Sequence, residues 1–319
     1  MLLVIAYRLA RKVRSLLEVI LHMGAHRTGT TTLQRSLQQN AQNLKKNGVT
    51  VWGPSETRGR LFSGLLRGFD AEAGETTRLV ARNKGVIAIE MDRLARKQCR
   101  NLLITEENIL GGIRGNLRSH QLYPRLDERL ARFAEMFGPV CGRIGLAIRP
   151  YQDFWASSMA HSIPLGHRLL DEDDFDQLVT QPRTWRRVIN DVAAAFPRAD
   201  IMVWEFDRMV RQPAAQLKIL TNGQRNLHLG LMEQQHNASP GRDALRSILA
   251  QRRDGSEAQI AAGDGRFMPM GAHHIEAMQA QYAIDLAWLR GASVGRLKFV
   301  EAVEAFDLAP PEKTKRGFG

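Results

Sequence analysis

The residues best suited to chemistry lie in one stretch, residues 18–34, which reads EVILHMGAHRTGTTTLQ. An apolar run at 19–23 predicts a buried strand, and Gly24 and Gly29 enclose the turn that follows it. From Thr30 the spacing of the leucines predicts a helix. A strand, a glycine-bounded loop and a helix start present backbone N–H groups and the positive end of a helix, which are the groups that bind phosphate.

The basic residue of this stretch lies inside the loop, at Arg27. The two glycines have the G-x-x-x-x-G spacing of a P-loop, but Thr30 follows Gly29 where an ATP or GTP site has lysine. We therefore expect the loop to bind phosphate-like groups without the ordinary chemistry of nucleoside triphosphates.

A second pair of residues could bind another anion. Arg149 follows a predicted strand at 143–148, and Ser157 lies eight residues later, inside a helix predicted at 152–162. An arginine at a strand end and a hydroxyl from the next helix can bind one phosphate through charge-assisted hydrogen bonds. The pair is a weak signal alone and a strong one beside the loop.

Together, HRTGTTTLQ and the Arg149/Ser157 pair resemble the signature motifs of the sulfotransferases that use 3′-phosphoadenosine 5′-phosphosulfate (PAPS). The loop sequence is most similar to that of the bacterial branch of this family. That family has a basic residue followed by x-G-T-T or x-G-T-S for the 5′-phosphosulfate, and Arg27 stands where it usually has lysine. Its second signature, an arginine and a serine eight residues later, binds the 3′-phosphate. Residues 204–207 (WEFD) are similar to a later aromatic–acidic segment, so the resemblance covers about 18–211.

The resemblance implies transfer of a sulfuryl group from PAPS, as co-substrate, to a hydroxyl or amine, with no metal. The phosphosulfate site would comprise Arg27, Thr28, Gly29, Thr30, Thr31 and Thr32, and the 3′-phosphate site Arg149 and Ser157. A cation at the leaving phosphate oxygen stabilises the developing charge. Arg27 would act there by charge and hydrogen bonding only, since arginine does not give up a proton at neutral pH. The acceptor stays open among a carbohydrate, a lipid-linked glycan and a small metabolite.

The acceptor needs a base, and glutamates that follow predicted strands are the candidates. Glu107 ranks first and Glu106 second, both directly after a strand predicted at 101–105. Glu56 ranks third, because several glycan-modifying members of the family carry their catalytic glutamate in the corresponding segment. Structural roles stay open: the first two also suit a helix N-terminus, where the dipole favours acidic residues, and the third suits a solvated loop.

Weaker candidates lie elsewhere in the chain. Arg242 and Arg266, in glycine-containing segments, are predicted either to close over the 3′-phosphate or to be ordinary surface arginines, and Arg58 is a similar candidate. His22 and His26 span a strand end and a loop and do not form a helical metal pair, and residues 273–274 (HH) are predicted at the surface. We therefore expect no metal site.

Composition limits the partners. The chain has 319 residues and a net charge of +12, which favours nucleic acid, anionic lipid or a highly phosphorylated cofactor. No compact nucleic-acid motif stands out and aromatic residues are few, so nucleic acid is not expected. Cys99 and Cys141 match no metal or redox spacing and suit reduced thiols in a cytoplasmic protein. Residues 1–17 form a basic, weakly amphipathic segment, predicted as a packed lead-in or, alternatively, a contact with an anionic membrane surface.

Short apolar runs alternate with helical patterns, which predicts an α/β fold: a three-layer, doubly wound parallel sheet with ligands at the carboxyl ends of the strands. Strands are predicted at 19–23, 49–52, 101–105, 143–148 and 201–204, and a mainly helical part beyond 230. One domain at 18–308 would follow the lead-in, with a disordered tail at 309–319. Helices are predicted at 30–43, 71–82, 87–100, 126–137, 152–162, 184–196, 207–220, 243–253 and 274–289, and an exposed acidic connection at 166–180.

Two alternatives to the sulfotransferase remain. A P-loop nucleotide or small-molecule kinase would share the loop, but it requires a lysine after Gly29 and an aspartate at a strand end for Mg²⁺. A non-catalytic protein could bind nucleic acid or an acidic membrane through its charge. Thr30 in the lysine position and the Arg149/Ser157 spacing favour the sulfotransferase.

Overall fold

Six parallel strands form one sheet in the order β2–β3–β1–β4–β5–β6 in the computed structural model, which describes residues 17–301 except 69–72, 225–226, 228, 230–239, 254, 264 and 294. The strands are β1 (Glu18–His22), β2 (Val49–Trp52), β3 (Asn101–Thr105), β4 (Cys141–Ile148), β5 (Asp200–Glu205) and β6 (Leu297–Val300). The predicted lead-in, apart from Leu17, and the predicted tail lie outside the described residues.

Helices connect the strands. In the described part of the chain they are α1 (Thr30–Gln39), α2 (Ala41–Lys46), α3 (Pro54–Glu56), α4 (Ala73–Arg96), α5 (Ile113–Ser119), α6 (Leu126–Phe137), α7 (Tyr151–Ser162), α8 (Glu172–Thr180), α9 (Trp185–Ala195), α10 (Phe206–Met209), α11 (Pro213–Leu220), α12 (Arg242–Ala250) and α13 (Ala272–Gly291). A π-helical turn, Thr57–Leu61, continues α3, and 3₁₀ turns occupy Glu107–Ile109, Ile163–Leu165 and Ser256–Gln259. None of these helices has both the length and the apolar character to cross a membrane.

Both faces of the sheet are buried. Val19 and Leu21 of β1 belong to one apolar cluster, whereas Ile20 between them belongs to another on the opposite face. Leu33 and Leu37 of α1 fill the second cluster and are almost fully buried. Each such leucine contributes about 1.5–3 kcal/mol by leaving water. This two-sided burial explains why the strands read as continuous apolar runs.

β1 is the central strand, between β3 and β4. Because all the strands are parallel, the segments that follow β1, β3, β4 and β5 emerge side by side at one edge of the sheet. The chain leaves β1 toward β2 on one side and leaves β4 toward β5 on the other, and ligands bind in the crevice that such a reversal opens.

The predicted strands are confirmed within two residues, but β6 was not predicted. It is a short edge strand whose residues are only partly buried, so its apolar signal is weak. The predicted helices at 71–82 and 87–100 are one helix, α4, which runs through Gly85. An internal glycine costs about 1 kcal/mol, and the burial of Ile87 and Met91 outweighs that cost.

The acidic connection predicted at 166–180 is wrong in its second half, because α8 begins there. The side chain of Asp171 accepts from the backbone N of Asp174 at 3.1 Å, and that of Asp174 accepts from the backbone N of Asp171 at 2.9 Å. The acidic residues therefore form a capping box and the first turn of a helix, where negative charge is favourable. The helix predicted at 207–220 is divided before Pro213, and α5 was not predicted.

Candidate functional site

A cleft of about 1380 Å³ opens at the carboxyl edge of the sheet. Its walls come from the segments that follow β1, β3, β4 and β5 and from residues near 160 and 265. Six arginines line it, against two carboxylates, Glu107 and Asp207. The arginines are Arg27, Arg58, Arg114, Arg149, Arg211 and Arg266. A concave surface with this excess of positive charge concentrates anions.

The loop between β1 and α1 depends on its two glycines. Gly24 has φ of +90°, and a Cβ atom there would lie 2.9 Å from Cβ of Glu107. Gly29 has φ of +70°, and a Cβ atom would lie 2.8 Å from Cγ2 of Val210. Both positions therefore require glycine, because of the left-handed backbone and because of the close neighbours.

The threonines of the loop divide into two groups. Thr28 is buried, and its hydroxyl donates to the carbonyl oxygen of Ala25 at 2.6 Å. Residues 29–32 line the cleft, and α1 begins at Thr30 without a side-chain cap or an acidic residue in its first turn. The first turn of α1 thus has the properties of an anion-binding helix end, whereas the hydroxyl of Thr28 holds the loop together.

Arg27 joins the loop to the β4 side of the cleft. Its Nε donates to Oγ of Ser157 at 3.0 Å, across 130 residues of sequence. Its carbonyl oxygen accepts from Nη1 of Arg149 at 2.7 Å, across 122 residues. The structure therefore brings the two predicted anion-binding segments together, with Arg27 between the members of the Arg149/Ser157 pair.

Arg149 is a buried cation that packs against an aromatic residue. Its guanidinium lies 4.7 Å from the ring centre of Phe206, and its carbonyl oxygen accepts from Nε1 of Trp185 at 2.9 Å. Its Nε is buried without a hydrogen-bond partner among the described residues. Burial lowers the pKa of Arg149 to about 10, although Asp153 and Asp207 oppose this effect. The group stays protonated at neutral pH, and a buried cation of this kind favours an anionic partner.

Glu106 lies beneath the β3 side and is fully buried. Its carboxylate accepts from the hydroxyl of Thr57 at 2.6 Å, from Nη2 of Arg58 at 2.9 Å and from Nδ2 of Asn108 at 2.7 Å. It also caps the turn at Glu107–Ile109 through the backbone N of Asn108. These contacts assign Glu106 to the support of its neighbours rather than to contact with a substrate.

Glu107 lines the cleft. Its Oε1 accepts from Nη2 of Arg58 at 2.7 Å, and its Oε2 accepts from Nε2 of Gln34 at 2.9 Å. Burial alone would raise the pKa of Glu107, but Arg58, Gln34 and, when it is protonated, His26 outweigh that effect and lower it. The carboxylate is therefore ionised at neutral pH, with lone pairs left for a further donor.

Glu56 does not line the cleft. Its carboxylate accepts from the backbone N of Gly53 and from the hydroxyl of Ser55, both at 2.8 Å, at an exposed position. Glu56 is the last residue of the short helix α3, and its side chain caps the start of that helix. This exposed position agrees with the non-catalytic alternative for Glu56, a solvated loop residue.

A chain of hydrogen bonds that sequence reasoning missed supports the β3 side. Oη of Tyr123 accepts from the backbone N of His26 at 3.0 Å and lies 3.1 Å from its Nδ1. Burial raises the pKa of Tyr123, so its hydroxyl stays protonated and donates to Nδ1. Nε2 of His26 then donates to Oδ1 of Asn108 at 3.2 Å. Burial also lowers the pKa of His26, which agrees with a neutral imidazole.

His161 was missed as well. It lines the cleft one helical turn after Ser157, and burial, with the charge of Arg27, lowers its pKa. A neutral imidazole at this position is a second possible base. The four-residue spacing on one helix face was the signal that could have found it.

The weaker candidates from the sequence differ in whether they line the cleft. Arg58 and Arg266 line the cleft, the latter paired with Asp153 at 2.6 Å. Arg242 is not part of the lining, and its guanidinium lies against the backbone of Gly265. His274 was predicted at the surface, which is wrong: its side chain is 1% exposed, because it packs beneath α8, whereas that of His273 is 69% exposed.

Comparison with known proteins gives no further guide. No protein-family model, no curated protein and no solved structure matches the chain. Its function is therefore inferred from the geometry and charge of the cleft.

Proposed function

We propose that the protein is a PAPS-dependent sulfotransferase, which transfers a sulfuryl group to a hydroxyl or amine of an acceptor. One observation carries the proposal: Arg27 contacts both Arg149 and Ser157 at a strongly basic cleft. PAPS has two separate anionic groups, a 5′-phosphosulfate and a 3′-phosphate, and a cleft with two neighbouring arginines, Arg149 buried and Arg27 half-buried, suits such a ligand.

Different residues would bind the two anionic groups of PAPS. The first turn of α1 and Arg27 would bind the phosphosulfate, and Arg149 would bind the 3′-phosphate. Ser157, which accepts from Nε of Arg27, fixes the position of one cation relative to the other. Burial lowers the pKa of both arginines, yet both stay charged at neutral pH.

The transfer itself replaces the sulfur–oxygen bond to the bridging phosphate oxygen by a bond from sulfur to the acceptor, whose proton passes to a base. Arg27 would stabilise the charge that develops on the departing phosphate. Glu107 is the proposed base because it is ionised and faces the cleft. Its lowered pKa makes it a weak base that is in the ionised form at neutral pH.

Two residues, Thr30 and Glu106, disfavour the kinase alternative. Thr30 occupies the position of the P-loop lysine, and Glu106 at the end of β3 is enclosed by Thr57, Arg58 and Asn108. An enclosed carboxylate does not bind Mg²⁺ without breaking these bonds.

Thermal unfolding with nucleotides tests the proposal. We expect 3′-phosphoadenosine 5′-phosphate (PAP) to raise Tm more than ADP does, because ADP lacks the 3′-phosphate. Stabilisation by ATP with Mg²⁺ but not by PAP would refute the proposal. A screen with radiolabelled PAPS against carbohydrates, lipid-linked glycans and small metabolites would then identify the acceptor class.

A further inference from the structure

Three metal-ligating side chains meet outside the cleft lining, where the starts of α8 and α13 pack together. Oε1 of Glu172 lies 3.7 Å from Nε2 of His273 and 3.7 Å from Nδ1 of His274. All three atoms lie within 4.8 Å of one another. We propose that Glu172, His273 and His274 bind a divalent transition-metal ion of the zinc type.

The spacing fits an ion better than direct bonds. A distance of 3.7 Å is too long for a hydrogen bond. Zinc lies about 2.0–2.2 Å from nitrogen and oxygen ligands, which places neighbouring ligand atoms of a tetrahedral site roughly 3.4 Å apart. Small side-chain rotations would bring the three atoms to that separation. Two imidazoles and one carboxylate are a common ligand set for zinc, with water at the fourth position.

His274 gives the independent evidence for a ligand. Its side chain is 1% exposed, and its Nδ1 has no hydrogen-bond partner in the described part of the chain. Its Nε2 lies 3.0 Å from Oδ1 of Asp176, which keeps the proton on Nε2 and directs the lone pair of Nδ1 toward Glu172. A carboxylate that orients a histidine in this way is the usual support of a metal-bound imidazole.

The local charge also favours a cation. Five acidic residues occupy positions 171–176, and Arg168 pairs with two of them, Asp171 and Asp174. Glu172 and Asp176 are not among the partners of Arg168 and face the histidines instead. The positive ends of two helices oppose a cation, but full carboxylate charges at shorter range outweigh them.

Such an ion would brace one wall of the cleft. The segment before α8 carries His167, and the segment before α13 carries Arg266 and Phe267, all of which line the cleft. Joining the two helix starts through one ion would fix these segments relative to each other. The site is a structural one in this role, and it does not depend on the sulfotransferase proposal.

Titration calorimetry with Zn²⁺ on the full chain, without a histidine tag, tests the site. We expect one ion per chain and a higher Tm with Zn²⁺. Glu172→Gln and His273→Gln change exposed side chains, so the fold is retained, and each should weaken binding at least about 10-fold. Asp176→Asn, which removes the negative charge of the group that orients His274, should weaken binding about 10-fold or more.

Asp173→Asn is the matched control, since it removes one exposed carboxylate of the same helix outside the cluster, and it should leave the affinity unchanged. The chain has nine histidines, so zinc could also bind elsewhere. Unchanged affinity in both Glu172→Gln and His273→Gln would show this and overturn the proposal. Absence of zinc binding by the wild-type chain would overturn it as well.

Discussion

Arg149, on the β4 side of the cleft, keeps a buried guanidinium nitrogen without a partner among the described residues, whereas Glu106, on the β3 side, has both carboxylate oxygens bonded. The β4 side places two cations, Arg27 and Arg149, next to each other, and their mutual repulsion contributes to the lowered pKa of Arg149. The β3 side balances Arg58 against two carboxylates, Glu106 and Glu107.

The difference indicates that the two sides of the cleft have different roles, the β4 side in binding an anion and the β3 side in positioning groups. A region in which a buried cation such as Arg149 has a nitrogen without a partner gains free energy when an anion binds, because the anion supplies the missing charge and hydrogen-bond acceptor. A region whose polar groups satisfy one another is rigid before any ligand arrives, as positioned catalytic groups must be. We therefore expect substitution of Arg149 to act on nucleotide affinity, substitution of Arg27 to act on both affinity and transfer, and substitutions on the β3 side to act on transfer or stability.

Glu107→Gln should give the largest effect on transfer. The amide keeps the size of the side chain but cannot accept a proton, so transfer to the acceptor found by screening should fall about 10²- to 10⁴-fold. PAP affinity should stay within about twofold, since Glu107 is not proposed to bind the nucleotide. Rates from radiolabelled PAPS and calorimetry with PAP measure the two quantities.

Glu56→Gln is the control for Glu107→Gln, because it removes a carboxylate that caps α3 away from the cleft. Transfer by Glu56→Gln should equal that of the wild type. Loss of transfer in Glu56→Gln but not in Glu107→Gln would reverse the assignment of the base.

Glu106→Ala should destabilise the fold by about 3 kcal/mol. The substitution leaves the Thr57 hydroxyl and the Asn108 amide without their acceptor and Arg58 with one carboxylate fewer, and buried donors without partners are costly. Urea unfolding measures the change. Glu56→Ala, at an exposed cap, should cost about 1 kcal/mol or less, and equal losses in the two variants would contradict the supporting role of Glu106.

Arg149→Ala should weaken PAP binding about 10- to 100-fold, because one charge-assisted contact to a phosphate contributes about 1.5–3 kcal/mol. ADP binding should change little, since ADP has no 3′-phosphate. Arg198→Ala is the matched control, because that exposed arginine precedes β5 at the opposite edge of the sheet. Unchanged PAP affinity in Arg149→Ala would remove the second anion site from the proposal.

Much of the layout followed from sequence. Short apolar runs between helices predict a parallel sheet, and a parallel sheet places every strand end at one edge. That is why Arg27 and Arg149, 122 residues apart in sequence, were expected near each other and do lie in contact.

The partners of individual side chains could not be predicted in this way. Ser157 bonds Nε of Arg27 rather than Arg149, because the left-handed backbone at Arg27 and the turn of α7 set where each side chain points. Glu106 and Glu107 are adjacent in sequence with the same chemistry. Arg58 contacts both of them, so the partners that distinguish the two are Thr57, 49 residues before Glu106, and Gln34, 73 residues before Glu107.

His22 lies at the end of β1, between the β3 side and the β4 side of the cleft. Its substitution should have the smallest effect of those considered, a change in how stability depends on pH. Nδ1 of His22 lies 2.9 Å from Oγ1 of Thr105 in β3, and its ring stacks on Trp204 of β5. Burial lowers the pKa of His22 from 6.5 to about 4, although the charge of Glu107 opposes this.

In the unfolded chain His22 takes up a proton near pH 6.5, whereas in the folded protein it does so only near pH 4. The unfolded state therefore binds more protons between these values, and the free energy of unfolding should fall as the pH falls. Protonation of His22 should lower the free energy of unfolding by about 1 kcal/mol between pH 7 and pH 5.5. His22→Gln should lower stability at pH 7 but give a flatter dependence on pH by that amount, measured by urea unfolding at each pH. Parallel curves for the variant and the wild type would mean that His22 is protonated as easily in the fold as in water, and that the space beneath the cleft is open to solvent.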